Sequence, residues 1–323
     1  PRRDAGRAPP ASRRGPVTRD AGARPAAARL RSDLIDGVRE FFRARGVMEV
    51  QTPLVTASGV TDVHIDSMPL ADGGYLRTSP EYAHKRLLAA GAGDLYELGA
   101  VFRRGERGRH HRPEFTLLEW YRLGWGWREL ADETVALIES LTPARRWNVS
   151  FIRWNDLVAR HTGTDFARDG LPGVRAAAAD APSGLDEPEL LDWLFASRVQ
   201  PALPTDAITV VHHYPAIQAA LARRVPGDPA WAERFEVFAG PVELANGYRE
   251  LTDAGEQRAR FEADNRRRAA LGRPRMPMDE NLLAALAAGL PECAGVAVGF
   301  DRLGMIAAGV DELAGIELFD DDA

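Results

Sequence analysis

Two pairs of strand-like segments, each joined by a short connection, constrain the fold of this chain more than any other feature. Residues 94–104 and 114–123 are predicted to form strands on either side of a basic loop, and residues 234–251 predict a hairpin that turns near Gly240 and Pro241. Helical segments are distributed unevenly between the strands. The pattern therefore predicts an α+β fold with a mostly antiparallel sheet flanked by helices.

Several helices can be placed from apolar spacing and capping residues. Apolar residues at helical spacing predict a helix that begins at Leu30 and ends at Gly46. Ser79 as the N-cap, with Pro80 in the first turn, predicts a helix that ends near Gly91. A polar helix, an apolar helix, a strand and a closing helix are predicted for the C-terminal part.

Composition narrows the class of protein. The chain has 323 residues, of which 45% are hydrophobic and 27% charged, and no apolar run approaches the roughly 18 residues of a membrane-spanning helix. The single cysteine, Cys293, excludes an intramolecular disulfide framework and a cysteine-based zinc site. Such sparse use of cysteine favours a cytoplasmic location.

The N-terminal segment differs from the rest of the chain. Residues 1–29 are mostly Arg, Ala, Pro and Gly, so they are predicted to be a disordered leader in front of a single domain at 30–323. The leader is interpreted as a linker or an over-extended start, with an organelle transit peptide as the alternative. Residues 1–31 carry a net charge of +7, from nine Arg and two Asp, whereas the whole chain carries −6, so residues 32–323 carry −13.

The loop from Arg103 to Pro113 is the most unusual segment. It holds five arginines and two histidines against a single acidic residue, Glu106, which gives a local charge of about +4. Guanidinium groups bind phosphate oxygens bidentately, so the loop predicts a phosphate clamp. A solvated hairpin tip is the alternative.

Two further segments carry residues suited to a nucleotide site. In VELANGYREL, Glu243 and Glu250 can hold a divalent cation, but a spacing of seven places them on opposite faces of a regular strand, so we expect an irregularity at Asn246–Gly247. In GVAVGFDRL, small residues allow close approach of a ligand, and Arg302 follows directly. The alternatives are an edge strand with exposed charges and simple strand-to-helix packing.

In this order the segments resemble the catalytic core of class II aminoacyl-tRNA synthetases. Pro53 closes a segment similar to motif 1, FRRGERGRHHRPEFTLLEWY is similar to motif 2, and GVAVGFDRL is similar to motif 3. RTSPEYAHKRLL, RPEFTLLEWY and ELANGYRELTDA resemble the lysyl-tRNA synthetase branch in particular. The resemblance covers about residues 30–318 and implies the α+β core of that class.

Length indicates which relatives the chain resembles most. Bacterial-type lysyl-tRNA synthetases carry an anticodon-binding domain before the core, whereas fewer than 35 residues precede the motif 1 helix here. The chain therefore resembles the stand-alone paralogues, the elongation factor P (R)-β-lysine ligases, and Ala297 supports this because lysyl-tRNA synthetases typically have Gly there. The resemblance implies a homodimer that activates β-lysine with ATP and Mg²⁺ and transfers it to a lysine of elongation factor P, without stable tRNA binding.

The resemblance also assigns roles to residues. It implies that Arg103 holds the α-phosphate, that Arg302 contacts the far phosphates or the adenine face, and that Phe115 stacks on the other face of the adenine. Glu243 and Glu250 are the expected Mg²⁺ ligands, and the expected catalytic residues are Arg103, Arg302 and Glu250. The expected amino-acid pocket consists of Ser79, Pro80, Glu81, Tyr121, Glu250 and Ala297. The expected ATP site consists of Arg103, Arg104, Gly105, Glu106, His111, Arg112, Phe115, Glu243, Leu244, Gly299 and Arg302.

Motif 2 departs from the family pattern at two places. The family commonly has Arg-Asn-Glu where this chain has Arg103, Arg104 and Gly105, with Glu106 one position later. It also has Asn where this chain has Arg112.

Two alternative functions stay open at this point. One is a minimal lysyl-tRNA synthetase-like enzyme that uses α-lysine, and the other is a catalytically silent paralogue that binds a partner.

Overall fold

The structure is a computed structural model, and it describes residues 24–319. Helix α1 begins at Pro25, five residues before the predicted start at Leu30. Proline suits the first turn of a helix, and the alanines that follow are strong helix formers. The expected disorder is therefore wrong for residues 25–29, and the rest of that expectation, up to residue 23, lies outside the described residues.

Helices and strands alternate irregularly along the described part of the chain. The helices are α1 (Pro25–Arg43), α2 (Glu81–Ala89), α3 (Trp127–Leu141), α4 (Trp154–Thr162), α5 (Phe166–Ala177), α6 (Glu187–Leu194), α7 (Ala254–Ala270), α8 (Glu280–Gly289) and α9 (Phe300–Ala308). The strands are β1 (Met48–Glu49), β2 (Val55–Thr56), β3 (Met68–Pro69), β4 (Tyr75–Leu76), β5 (Leu95–Phe102), β6 (Glu114–Leu123), β7 (Asn148–Arg153), β8 (Ala207–Pro215), β9 (Arg224–Val225), β10 (Asp228–Ala239), β11 (Val242–Arg249) and β12 (Cys293–Gly299). No helix between residues 24 and 319 is both long and apolar enough to cross a membrane.

One large sheet organises the fold. Its strand order is β1-β5-β6-β12-β11-β10-β8-β7, with β9 added beside β10, and β2, β4 and β3 form a separate small sheet. Within the large sheet only β1–β5 and β7–β8 are parallel pairs. The two hairpins predicted from the sequence are β5–β6 and β10–β11. The predicted α+β fold with a mostly antiparallel sheet is confirmed.

Strand alternation divides the large sheet into a core face and an open face. Leu118, Trp120 and Val296 point into the main hydrophobic core, which α1, α3 and α9 cover. The residues between them on the same strands, such as Glu119 and Ala297, point to the other face. Polar residues of the sheet therefore collect on one side, where a ligand can reach them.

A bulge at Leu244 gives strand β11 its functional face. Val237 of β10 lies opposite Ala245, but the next residue, Phe238, lies opposite Glu243, so Leu244 is the extra residue. The bulge reverses the alternation and places Glu243 on the same face as Glu250. The expected irregularity at Asn246–Gly247 is wrong in its position, because β11 pairs with β12 without interruption from Ala245 to Arg249.

Candidate active site

A cavity of about 1180 Å³ opens on the polar face of the large sheet. Fifteen of the residues predicted from the sequence line it, namely Ser79, Pro80, Glu81, Arg103, Glu106, His111, Arg112, Phe115, Tyr121, Glu243, Leu244, Glu250, Ala297, Gly299 and Arg302. Arg104 and Gly105 do not. Segments that are far apart in the sequence therefore meet at one site.

A row of directly paired residues crosses five strands, and all of its members except Glu97 line the floor of the cavity. Glu97 pairs with Glu119, Glu119 with Ala297, Ala297 with Asn246, and Asn246 with Glu236. Side chains in such a row lie beside one another on the same face of the sheet. Ala297 therefore lies in the middle of the floor, between a carboxylate and an amide.

A second row crosses the floor one step further along the strands. Tyr121 pairs with Gly295, and Gly295 with Tyr248. A Cβ atom on Gly295 would lie 2.2 Å from Tyr121 Cε1 and 2.6 Å from Glu250 Oε1. Glycine is thus required here because the tyrosine ring and the carboxylate occupy the space above it.

The end of the cavity beside α2 is acidic and buried. Lys85 Nζ lies 2.7 Å from Glu81 Oε1 and 2.6 Å from Glu250 Oε2, and both Lys85 and Glu250 are 1% exposed. Burial lowers the pKa of Lys85, but the two carboxylates outweigh it and raise that pKa, so the ammonium stays charged. Burial is also the main cause that raises the pKa of Glu81 and of Glu250. Glu250 Oε1 has no hydrogen-bond partner among the described residues.

The carboxylates of the cross-strand pair Glu97 and Glu119 have different partners. Arg77 Nη1 donates to Glu97 Oε1 at 2.6 Å, and His84 Nε2 lies 3.0 Å from Glu97 Oε2. Burial opposes ionisation of Glu97, but its hydrogen bonds with His84, Thr52 and Arg77 prevail and lower its pKa to about 2. The Glu119 carboxylate instead accepts hydrogen bonds from hydroxyl groups, at 2.7 Å from Ser79 and at 2.9 Å from Tyr121.

Ser79 also shapes the start of α2. Its hydroxyl accepts the backbone N–H of Glu81 at 3.0 Å while donating to Glu119. The helix begins at Glu81 with Pro80 in the N-cap position, so the predicted capping arrangement is shifted by one residue. The same serine therefore connects the helix start to the floor of the cavity.

The opposite end of the cavity is cationic, and Arg302 at the start of α9 joins three segments there. Its guanidinium donates to the carbonyl oxygen of His110 at 3.2 Å and to that of Glu243 at 3.0 Å, and Nη2 lies 2.7 Å from His111 Nε2. The Glu243 carboxylate lies 3.8 Å from Arg302 Nη1. Burial, and then the Arg302 charge, lowers the pKa of His111, so this imidazole is neutral at pH 7.

Arg103 lies at the same end, where the basic loop begins. Its guanidinium lies 5.1 Å from the centre of the Phe115 ring, and its Nη1 is 3.6 Å from Glu106 Oε1. Arg103 Nε donates to the carbonyl oxygen of Thr78 at 3.4 Å. The cationic side chain and the aromatic ring that were predicted to contact ATP are therefore neighbours.

Two residues of the basic loop lie outside the cavity. Arg104 is exposed, and its backbone N–H donates to the carbonyl oxygen of Asp66 at 2.7 Å. Gly105 is exposed with a φ of +82°, which suits glycine in a turn. Arg112 does line the cavity, and its Nε lies 2.5 Å from Glu317 Oε1. The contacts of these three residues with ATP stay a prediction.

The two residues predicted as Mg²⁺ ligands have different neighbours. Glu250 lies beside Lys85, Glu81 and Glu119 at the acidic end. The acidic neighbour of Glu243 is Glu236. Burial raises the pKa of Glu236, and the Glu243 charge raises it further against the opposing effect of Arg234. The described residues contain no group of three or more His, Cys, Asp or Glu arranged to hold a metal ion.

Sequence reasoning missed several residues that the structure brings to this site. They are Glu119, Glu236, Tyr248 and the buried pair Arg77 and Glu97. Strand alternation offered a signal for Glu119, because it lies two residues before Tyr121 and therefore on the same face. The others carry no local signal, since a charged residue in a strand is more often exposed.

Comparison with known proteins defines the class first. The chain matches the family described as tRNA synthetases class II (D, K and N) over residues 23–322, and it belongs to that family.

Closer relatives are proteins named elongation factor P–(R)-β-lysine ligase. The relative from Proteus mirabilis is 43% identical over 307 residues, and that from Photorhabdus laumondii is 44% identical over 307 residues; each alignment covers 90% of this chain and 93% of the relative. The relative from Salmonella paratyphi A is 43% identical over 304 residues with the same coverage. The chain belongs to this family of stand-alone synthetase paralogues.

Proposed function

We propose that the protein uses ATP to activate (R)-β-lysine as an aminoacyl adenylate and transfers the β-lysyl group to a lysine side chain of elongation factor P. The observation that carries the proposal is one continuous cavity with a buried carboxylate cluster at one end and arginines at the other. An amino acid with an ammonium group suits the first end, and a triphosphate suits the second. The names of the curated relatives support the same reaction.

The acidic end is proposed to bind the ammonium groups of β-lysine. Glu81, Glu119 and Glu250 converge there, and Glu250 Oε1 is buried without a hydrogen-bond partner. A buried carboxylate oxygen without a partner is unfavourable until a donor reaches it. α-Lysine and β-lysine have the same atoms, so discrimination depends on where the ammonium lies relative to these oxygens and to Ala297 on the floor.

The cationic end is proposed to bind ATP, and the first half-reaction needs no protein nucleophile. The β-lysine carboxylate attacks the α-phosphorus, and the bond to the β-phosphate oxygen breaks, so that pyrophosphate leaves and an adenylate remains. Arg103 and Arg302 stabilise the negative charge that develops on the phosphates. In the second half-reaction the acceptor lysine amine attacks the adenylate carbonyl, AMP leaves, and the amine loses a proton as the amide forms.

Mg²⁺ is proposed to enter with ATP and to neutralise phosphate charge. Carboxylate oxygens are the protein ligands that this ion prefers, and Glu243 supplies them at the cationic end. Glu236 and Glu250 suit this role less well, because Arg234 is already paired with Glu236 and Lys85 lies 2.6 Å from Glu250. Phosphate oxygens of ATP complete the coordination, since one carboxylate does not form a full ligand set.

Pyrophosphate exchange into ATP tests the first half-reaction. (R)-β-Lysine and α-lysine are compared side by side, and transfer of labelled β-lysine to purified elongation factor P is then followed by mass spectrometry. Exchange that prefers (R)-β-lysine, together with a β-lysyl adduct on one lysine of the factor, is the expected result. Preference for α-lysine with charging of tRNA, or no exchange with either amino acid, would refute the proposal.

The protein is proposed to act as a cytoplasmic homodimer that does not bind tRNA stably. Met48, Leu54 and Val55 are 46%, 44% and 53% exposed, and Met48 belongs to β1, an edge strand of the large sheet. Exposed apolar side chains near an open sheet edge favour contact with a second copy of the same surface. The net charge of −13 on residues 32–323 disfavours broad contact with tRNA phosphates.

A further inference from the structure

Arg268, in the last turn of α7, is a buried cation outside the residues that bind ATP or the amino acid. Its residue exposure is 1%. Its guanidinium donates to the carbonyl oxygens of Pro274 at 2.8 Å, Asp62 at 2.7 Å and Ile65 at 3.4 Å, and to Asp66 Oδ1 at 3.2 Å. Three of the four acceptors belong to one short segment, residues 62–66.

Segment 62–66 is irregular backbone beside the cavity, and side chains from α7 and the turn after it hold it in place. Next to the segment, Thr61 donates to Asp264 Oδ2 at 2.9 Å, and Arg273 Nη1 donates to the carbonyl oxygen of Val63 at 2.6 Å. Irregular backbone next to a cavity needs such external partners, because no ladder of backbone hydrogen bonds fixes it. Arg268 contributes the largest set of these partners.

The same segment is bonded to the ATP-binding loop. The carbonyl oxygen of Asp66 accepts the backbone N–H of Arg104 at 2.7 Å. Arg103, directly before it, has its backbone N–H bonded to the carbonyl oxygen of Pro113 at 2.8 Å. These two bonds fix the point at which the loop leaves β5, and Arg103 directs its guanidinium into the cavity from that point.

We propose that Arg268 is a positioning residue for ATP, acting through segment 62–66 on the backbone of Arg104 and thereby on the guanidinium of Arg103. The inference rests on the proposed function only in assigning ATP to the Arg103 end. The Arg268 guanidinium contacts the segment at the carbonyl oxygens of Asp62 and Ile65 and at the Asp66 carboxylate. The backbone carbonyl of Asp66 in turn accepts the Arg104 N–H. Arg268 itself does not line the cavity.

Helix α7 also reaches the amino-acid end of the cavity. Gln257, Phe261 and Asp264 lie on the face of α7 that lines the cavity, and Arg268 follows Asp264 by one turn on the same face. Gln257 lies seven residues after Glu250 in the chain. The helix thus connects the two ends, but only its last turn holds the segment that contacts the ATP loop, so loss of Arg268 acts on ATP first.

The test compares Arg268→Met with Arg266→Met in the full chain. Arg266 lies on the same helix, its side chain is 67% exposed, and its only ion pair in the described part of the chain is a 3.9 Å contact with Glu262. Affinity for ATP is measured by calorimetry without an amino acid, and both KM values are measured by pyrophosphate exchange with ATP and (R)-β-lysine. Arg268→Met is expected to weaken ATP binding about tenfold or more, since three backbone carbonyls and the Asp66 carboxylate lose their donor.

The expected pattern is a raised KM for ATP with a much smaller change in the KM for β-lysine, while Arg266→Met resembles wild type. Arg268→Lys keeps the charge but lacks the planar fork, so its ATP affinity should lie between those of wild type and Arg268→Met. Asp66→Ala keeps the backbone carbonyl and should affect ATP less than Arg268→Met does. Equal rises in both KM values, or unchanged ATP affinity, would overturn the inference.

Two controls distinguish failure of the positioning role from misfolding of the variant and from failure of the proposed function. If Arg268→Met does not fold by circular dichroism, Arg268→Lys decides the question alone by the same KM comparison. If wild type shows no exchange with (R)-β-lysine but binds ATP, the proposed function fails, and the calorimetric comparison of the variants still tests the positioning role.

Discussion

Replacing Gly295 with alanine should disturb the amino-acid end of the cavity in a measurable way. The added methyl would lie 2.2 Å from Tyr121 Cε1 and 2.6 Å from Glu250 Oε1, well inside an ordinary contact of 3.4 Å or more. Neither neighbour can move freely, because Tyr121 is 2% exposed and donates to Glu119 at 2.9 Å, while Glu250 is 1% exposed beside Lys85.

The size of the overlap gives the expected loss of stability in Gly295→Ala. Overpacking of a dense interior costs about 1 to 3 kcal/mol, and relief of the overlap requires a shift of about 1 Å in the tyrosine ring. Such a shift breaks the hydrogen bond to Glu119 and displaces the carboxylates that are proposed to bind the ammonium groups. We therefore expect the free energy of unfolding to fall by about 1 to 3 kcal/mol and the KM for β-lysine to rise about tenfold or more.

Gly247→Ala is the matched control. Its methyl would lie 2.4 Å from the Phe235 ring, an overlap of similar size, but Phe235 belongs to the hydrophobic core on the other face of the sheet. Urea unfolding should show both variants destabilised, whereas pyrophosphate exchange should show the raised β-lysine KM only for Gly295→Ala. A Gly295→Ala protein with wild-type stability and wild-type KM would refute this reasoning.

Three further predictions concern catalysis, pH and assembly. Arg302→Ala should lower pyrophosphate exchange about a hundredfold or more, because a charge-stabilising donor is lost, while circular dichroism stays unchanged; retained turnover would contradict the role of Arg302. The lowered pKa of Glu97, about 2 against about 4.5 in the unfolded chain, contributes stability that is complete above pH 5 and is lost as the pH falls toward 2. In urea titrations wild type should therefore lose more stability than Glu97→Gln between pH 5 and pH 3, and equal losses would exclude this contribution. Sedimentation equilibrium should show a dimer for wild type and a weakened one for Val55→Asp, and a wild-type monomer at micromolar concentration would contradict the proposed interface.

The strands and their faces could be predicted from the sequence because alternation is a strong local signal. In β6 the apolar residues Leu118 and Trp120 alternate with Glu119 and Tyr121, so one face of the strand belongs to the core and the other to the cavity. The order of the motifs then indicated which segments come together. All but two of the predicted site residues line one cavity for this reason.

The partners of the charged residues could not be predicted in the same way. Lys85 lies in the helix that Ser79 and Pro80 predict, and only the packing of α2 on the sheet shows that it lies between Glu81 and Glu250. The sequence predicts the bulge at Asn246–Gly247, two to three residues after its position at Leu244, because Asn-Gly is the stronger local signal for irregular backbone. Bulges and buried ion pairs depend on neighbouring strands and helices that a local pattern does not contain.

Carboxylates outnumber permanent cations at the acidic end, and we expect this excess to favour a cationic amino acid. Arg77 neutralises Glu97, and the single ammonium of Lys85 is shared by Glu81 and Glu250. Glu119, by contrast, is bonded to two neutral hydroxyls, and His84 Nδ1 lies 3.6 Å from it.

Four carboxylates therefore face two permanent cations and His84. Burial lowers the pKa of His84, but the neighbouring carboxylates of Glu119 and Glu97 outweigh it and raise that pKa. With all four carboxylates ionised and His84 protonated, the acidic end would carry one negative charge. Burial of this charge is unfavourable, and burial is the main cause that raises the pKa of Glu81 and that of Glu250, the latter to about 8. A ligand with an ammonium group removes that cost, whereas a neutral amino acid of the same size leaves it in place. We therefore expect selection at this end to follow from the carboxylates that the fold leaves without a cation, and the positions of Glu250 Oε1 and Glu119 to determine which ammonium geometry is accepted.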